Sequence, residues 1–224
     1  DYSQIELRVL AHMSDDANMI DAFKHHSDIH TKTASEVFKV PVEEVTSLMR
    51  SRAKAVNFGI VYGISDFSLS QDLKISRKEA AEYMAIYFDR YPKIKDFLQG
   101  AIDSAKEDGY VLTLLNRRRF IPEIKSSNKI VISLGERLAM NAPIQGSAAD
   151  IIKLAMVKVY ERLKKEGLAS EIILQVHDEL ILNVKPNELE KVKTLVIEEM
   201  ENVFKLSVPL DVDVNLGKNW YEAK

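Results

Sequence analysis

The chain predicts an α+β fold: a largely helical molecule in which short antiparallel strands carry several acidic side chains. Three observations support this. Between Gln4 and Lys106, one stretch after another carries helical spacing or capping signals, with proline and glycine at the breaks. Glu171–Val176 and Leu180–Val184 are apolar runs on either side of His177-Asp178-Glu179, the pattern of a β-hairpin over 171–184 with acids at its tip. Tyr110–Leu115 also reads as strand, and Leu210–Val214 alternates as a final one.

In chain order, Asp1–Ser3 reads as a strand end entering a buried helix, Gln4–Met13. There Ile5, Leu7, Val9, Leu10 and Met13 interleave with Glu6, Arg8 and His12. Ser14-Asp15-Asp16 closes it, and a short helix covers Asn18–Lys24. Asp28 is suited to cap Ile29–Phe38, because its carboxylate can accept from the free N–H groups of a first turn. Pro41 breaks the path. Ser47–Gly63 is the next helix, stopped by Gly63, which can take positive φ. Ser65–Leu73 is short. Ser76-Arg77-Lys78-Glu79 matches a capping box that opens a helix running to Tyr91. Pro92 ends that helix, and Ile94–Lys106 follows. Asp108-Gly109 is a turn signal, Tyr110–Leu115 a strand, and Asn116–Arg119 a polar, basic corner. Val131–Ala142 and Ala148–Lys165 are expected as two helices interrupted around Pro143-Ile144-Gln145-Gly146. After the hairpin, Leu189–Phe204 is an amphipathic helix.

At 224 residues the chain can bury a substantial core, in one large domain or two small ones. With 46% hydrophobic and 29% charged residues its composition is that of an ordinary globular protein. It has no cysteine, which excludes disulfides and thiolate metal sites, and no apolar run of membrane-spanning length. The net charge of −3 argues weakly against a nucleic-acid partner. The distribution argues otherwise. Thr113–Arg137 carries Arg117, Arg118, Arg119, Lys125, Lys129 and Arg137 against only Glu123 and Glu136. A protein that holds divalent metals also needs acids, so a near-neutral total is compatible with DNA binding. The chain begins without Met, inside a motif, and is expected to be a fragment of a longer protein.

Two constellations carry chemistry. Arg50, Lys54, Phe58 and Tyr62 recur every four residues, so one helix face presents a guanidinium, an ammonium and two rings. Arg forks onto phosphate oxygens, Lys meets them as a point charge, and a ring can lie against a base. Basic residues at this spacing also occur on solvated faces and aromatic ones in cores; the acids elsewhere in the chain favour a nucleotide site. Those acids are Asp1, at a strand end, and Asp178 and Glu179, at the hairpin tip. An exposed turn would show the same tip. Two carboxylates from different strands can, however, hold two Mg²⁺ ions whose remaining positions go to water and phosphate. His25, His26, Asp28 and His30 lack a familiar zinc spacing, and His30 is better suited to touching phosphate.

These blocks resemble the motifs of the bacterial family A DNA polymerases. DYSQIELR resembles the first polymerase motif; Arg50, Lys54 and Tyr62-Gly63 resemble the second, Arg-x3-Lys-x7-Tyr-Gly; QVHDEL resembles the third. NAPIQGSAAD is similar to the segment used at the primer–template, and similarity runs from Asp1 to Trp220. The resemblance implies a right-hand polymerase. Residues 1–28 and 110–224 would form a palm with an antiparallel sheet, and 29–109 an all-helical fingers insertion, with thumb and exonuclease domain absent. Asp1 and Asp178, with the Tyr2 carbonyl, would be metal ligands for two Mg²⁺, and Glu179 an accessory acid. Arg50, Lys54 and His30 would grip an incoming dNTP, and Lys54 could protonate the departing pyrophosphate. Phe58 would flank sugar and base, and Tyr62 would stack near the templating position.

Gln4 and Glu6 would also face the nucleotide, Glu6 as the gate that excludes a ribose 2′-hydroxyl; at a helix start it could equally be an acid favoured by the dipole. Gly63, Arg137, Asn141, Gln145 and His177 would contact primer–template DNA, the last four on the minor-groove side of the new pair. Arg117, Arg118 and Arg119 would hold backbone phosphates or form a solvated corner. Where the family usually has Gly before the triple Arg, this chain has Asn116, the next most tolerant residue for positive φ. The implied activity is nucleotidyl transfer by a monomer in the bacterial cytoplasm. A non-catalytic nucleic-acid-binding module and a single-subunit RNA polymerase are the rivals; Glu6 and Phe58 favour the DNA enzyme over the latter.

Overall fold

Side-chain caps decide where most of the helices begin. The computed structural model describes residues 1–223. Its helices are α1 (Ile5–Ser14), α2 (Ala17–Lys24), α3 (Ile29–Phe38), α4 (Ser47–Val61), α5 (Asp66–Leu73), α6 (Arg77–Arg90), α7 (Pro92–Asp108), α8 (Lys129–Lys165) and α9 (Leu189–Asn202). Asp16 accepts from the amides of Asn18 and Met19, Asp28 from those of His30 and Thr31, and Thr46 from that of Met49. Ser76 and Glu79 form the expected reciprocal box at the start of α6. Each such cap stabilises its helix by about 1 kcal/mol. Pro92 opens α7 rather than merely ending α6, in keeping with a ring whose fixed φ suits the first turn.

Helix α1 lies at the centre. Leu7, Val9, Leu10 and Ala11 are fully buried, and they share one apolar cluster with Ile29 of α3, Ile60 of α4, Ile144 and Ile151 of α8 and Leu195 of α9. A smaller cluster of Ala105, Val111, Ile121, Ile124 and Ala139 seats the first hairpin against α7 and α8. Among the described residues no helix is long and apolar enough to cross a membrane.

The strands differ from expectation. In place of one antiparallel sheet there are two separate two-stranded ones, β1 (Tyr110–Leu112) with β2 (Arg118–Phe120), and β3 (Glu171–Val176) with β4 (Glu179–Asn183). Arg118–Phe120 is thus strand rather than corner, Leu112 pairing with Arg118 and Tyr110 with Phe120. Among the described residues the Leu210–Val214 segment forms no strand and pairs through the isolated bridge Tyr2–Val212. Pro209, just before it, has no N–H to extend a ladder, and its carbonyl is taken by Arg8.

The other correction is α8, a single helix of 37 residues running straight through Pro143. A proline inside a helix costs about 3 kcal/mol. The helix persists because Gly135, Ala139, Pro143, Ile144, Ser147, Ala148, Ile151 and Ala155 form one buried stripe across the expected break. Ser147 also donates to the Pro143 carbonyl and accepts from the Leu114 amide, tying the region to the β1–β2 loop. Tertiary burial outweighs the local signal.

Candidate active site

The acids are assembled by backbone pairing. The Tyr2 amide donates to the Asp178 carbonyl at 3.1 Å, Ser3 N to Asp211 O at 2.9 Å, and Asp213 N to Asp1 O at 2.9 Å. Residues 1–3 therefore lie between the β3–β4 tip and the 211–213 segment, which makes Asp1 and Asp178 neighbours despite their separation in sequence. Tyr2 is buried, its hydroxyl donating to the Met200 carbonyl at 2.7 Å. Arg8, also buried, clamps the same junction. Nε donates to Ser3 O at 2.7 Å, Nη1 to Pro209 O at 2.6 Å and Nη2 to Asp211 Oδ2 at 2.6 Å.

At the tip, His177 has φ 52°, a left-handed backbone that is uncommon for a residue with a Cβ. Gln175 Nε2 donates to the His177 carbonyl at 2.7 Å and helps hold it. The Trp220 indole N–H donates to Glu179 Oε1 at 2.7 Å. Among the described residues no three His, Asp or Glu side chains converge into a ready metal cage. The donors at hand, two carboxylates and the Tyr2 carbonyl, are hard oxygens. They suit Mg²⁺, which usually takes one or two protein carboxylates and keeps water and phosphate in its other positions.

The α4 face is a chain of contacts. Phe58 stacks on Tyr62 with centroids 6.3 Å apart and an interplanar angle of 22°, and the His30 ring lies 5.7 Å from Phe58. Lys54 Nζ sits 6.0 Å from the Phe58 centroid. Arg50 Nε donates to Asp28 Oδ2 at 2.6 Å, so the α3 cap is also the partner of this guanidinium. Burial would raise the Asp28 carboxyl, but hydrogen bonds from Arg50 and Thr31 outweigh it and bring its pKa down to about 2. Burial is likewise the main influence on His30; Asp28 opposes it, Arg50 and Lys54 reinforce it, and the ring's pKa falls to about 4. His25 and His26 do not join this site: His25 pairs with Asp21 and His26 with Asp211.

The Tyr62 hydroxyl donates to Glu6 Oε2 at 2.7 Å, linking α4 to the first turn of α1. Burial and that bond raise the phenol above its usual range. Just beyond, Gly63 has φ 67°, and a Cβ there would collide with Met140 Cε and stand 3.2 Å from Arg137 Cγ. Asn141 Nδ2 reaches the Tyr62 carbonyl at 3.5 Å. Gln4 Oε1 and Asn141 Oδ1 are buried without a hydrogen-bond donor among the described residues. Such orphaned acceptors are costly in a folded protein.

The basic loop is only partly available. Asn116 has φ 59°, the positive value expected where the family has glycine. Arg117 Nη2 lies 2.5 Å from Asp150 Oδ1, off the hydrogen-bond axis, and Thr113 Oγ1 donates to the other oxygen of that buried acid at 2.7 Å. Arg118 packs its guanidinium 4.9 Å from the Tyr110 ring centre, and Arg119 is exposed opposite Val111. Gln145 is exposed on α8. The structure thus joins Asp1, Tyr2, Asp178 and Glu179 in one group and Glu6, His30, Arg50, Lys54, Phe58 and Tyr62 in another. Arg117 pairs with Asp150 and Arg118 packs on the Tyr110 ring instead.

Residues 1–222 match the sequence model of DNA polymerase family A. The chain belongs to that family. It is 59% identical over its whole length to DNA polymerase I of Caldicellulosiruptor bescii and 56% to that of Geobacillus stearothermophilus. It is 49% identical to the enzyme of Mycobacterium tuberculosis. The chain spans 26%, 26% and 25% of those three relatives respectively. It also superposes on the POL domain of Pol1 from M. smegmatis, solved in complex with DNA primer-template and dNTP. That match has a TM-score of 0.96 and 50% identity, and covers all of this chain and 39% of the other.

Within this family A segment, sequence reasoning missed four contributors. Arg8 was read as a polar position on a buried helix, although an Arg among Ile5, Leu7, Val9 and Leu10 has little room to reach solvent. Asp28 reads from the sequence as a cap and as one member of the histidine patch, not as the partner of Arg50. Asn57, fully buried in α4, was passed over between the basic and aromatic positions. Trp220, the only tryptophan, marked the end of the resemblance and was given no role.

Proposed function

We propose that this segment carries the nucleotidyl-transfer centre of a template-directed DNA polymerase. Residues 1–28 and 110–224 form its palm and 29–109 its fingers. The observation that carries the proposal is the Tyr2–Asp178 backbone hydrogen bond, which sets the first and third motifs side by side. Asp1, Asp178 and the Tyr2 carbonyl would hold two Mg²⁺ ions, which when bound stabilise the attacking and leaving oxygens of an in-line displacement. The primer 3′-hydroxyl oxygen bonds to the α-phosphorus of a dNTP, its proton leaves to solvent, and the bond to pyrophosphate breaks.

Lys54 and Arg50 hold the phosphates, and Lys54 returns a proton to the pyrophosphate. Arg50 would exchange its bond to Asp28 for one to a phosphate, a trade between two anionic partners. Phe58 and Tyr62 offer flat surfaces to sugar and bases. Glu6, held by Tyr62, closes the space a 2′-hydroxyl would need. The orphaned oxygens of Gln4 and Asn141 are available to nucleotide and DNA, and Gly63, Arg137, Gln145 and His177 line the path of the new pair. Arg119, Arg118 and, once released from Asp150, Arg117 meet backbone phosphates. That the M. smegmatis relative is a complex with primer-template and dNTP supports the same partners here. The enzyme would act as a monomer in the bacterial cytoplasm.

The test is Mg²⁺-dependent primer extension by the polymerase that contains this segment. Asp178→Asn is expected to abolish turnover while leaving primer–template affinity nearly unchanged. Extension at the parent rate would remove Asp178 from the centre.

A further inference from the structure

The α3–α4 junction contains a buried polar chain of which the preceding roles use only His30. Asn57 is 0% exposed, His30 2% and Thr33 2%. Thr33 Oγ1 donates to Asn57 Oδ1 at 3.0 Å, which leaves the amide nitrogen of Asn57 turned to His30 Nδ1, 2.9 Å away. A fully buried asparagine in a helix otherwise lined by Ala53, Val56 and Ile60 costs stability unless its amide is satisfied on both sides, as it is here.

A neutral imidazole has one N–H and one bare nitrogen. An N–H donor placed against Nδ1 requires that nitrogen to be the bare one. We infer that Asn57, oriented by Thr33, is a positioning residue that keeps the His30 proton on Nε2, so that the ring offers an N–H to a phosphate oxygen of the bound nucleotide. The inference rests on the nucleotide-gripping reading of the α4 face. With the opposite tautomer, Nε2 would present a lone pair to phosphate and repel it. The charged groups acting on the ring are Asp28 on α3 and Arg50 and Lys54 on α4. The two cations and the buried surroundings keep it neutral near pH 7, so the tautomer, and not a second proton, decides what it can donate.

The experiment is nitrogen-resolved NMR of the histidine side chains in this chain near neutral pH, with His30→Gln identifying the resonances among five histidines. The expected spectrum has an unprotonated Nδ1 and a protonated Nε2 at His30. A proton on Nδ1 overturns the inference. Asn57→Asp, which sets a carboxylate oxygen against Nδ1, is expected to draw the proton there. It should also weaken dATP binding in the presence of Mg²⁺ by about tenfold, the loss of one charge-assisted hydrogen bond. An unchanged tautomer in that variant overturns the role of Asn57. Should Asn57→Asp fail to fold, Thr33→Val removes the donor that orients the amide and is expected to give mixed tautomers; a single, parent-like form overturns the role of Thr33. Saturating dATP should shift the parent Nε2 resonance. If it does not, the phosphate half of the inference falls together with the nucleotide reading, and the ligand-free spectrum tells that failure from a wrong tautomer.

Discussion

Replacing Tyr62 with Phe separates the proposed sugar gate from the ring stack. The hydroxyl donates to Glu6 Oε2 at 2.7 Å, while the ring stacks on Phe58 at 6.3 Å. The substitution keeps the ring and removes one O–H. A hydrogen bond to a charged group contributes about 1.5–3 kcal/mol. Tyr62 is 40% exposed, so solvent competes for both partners and about 1 kcal/mol is the appropriate figure. That corresponds to about fivefold in the population of Glu6 held by Tyr62. Tyr62→Phe should therefore admit a ribonucleotide about fivefold better relative to its deoxy counterpart, and Glu6→Ala, which empties the slot, more than that. The assay is single-nucleotide extension with dCTP and rCTP on one template, comparing kcat/KM for each. Because the two residues act as a unit, the double variant should do no more than Glu6→Ala alone. If neither single variant changes the sugar preference, the gate is elsewhere. Strictly additive effects would show that Tyr62 does not act through Glu6.

Lys54→Ala should raise KM for dNTP and slow turnover while changing primer–template affinity little; equal losses in both would make Lys54 a DNA contact. Asp28→Ala removes the α3 cap and the partner of Arg50, and should lower stability by about 1–2 kcal/mol in chemical denaturation. The folded Asp28 pKa of about 2 lies below its unperturbed 3.8, so its contribution is present above about pH 4 and fades as pH falls towards 2. An acid-unfolding profile that Asp28→Ala leaves unaltered would contradict this. Arg8→Met trades three hydrogen bonds for an apolar chain of similar length, stranding the Ser3 and Pro209 carbonyls, and should cost about 2–4 kcal/mol. A melting temperature within a degree or so of the parent would show that the clamp is dispensable.

Much of the helical framework was legible because its signals are local. Asp28 and Ser76 cap the helices that follow them, Gly63 takes the positive φ that stops α4, and Asn116 takes the same conformation at the basic loop. Each of these depends on atoms within a few residues. So does the α4 face, since four residues per step return to one side of any helix. Signals that depend on the rest of the molecule misled. Pro143 reads as a break because its own turn loses a hydrogen bond, and only the buried stripe on both sides of it offsets that loss. Leu210–Val214 alternates like a strand, yet Pro209 and Arg8 consume the groups a longer ladder would need.

The site divides in the same way. Residue types and spacing in this chain determined which acids, cations and rings could serve a nucleotide, since those properties belong to single side chains and to helical repeat. Which of them meet was decided by folding. Asp1 and Asp178 are neighbours only because Tyr2 sits between the hairpin tip and the 211–213 segment. Glu6 is held only because Tyr62 arrives on a different helix. Arg117 stays largely exposed but is held by an acid that is itself buried, and Asn57 acquires a role because burial sets its amide between Thr33 and His30. Hydrogen bonds and charge pairs act over a few ångströms, and the distances between residues far apart in sequence exist only once the core around α1 has closed.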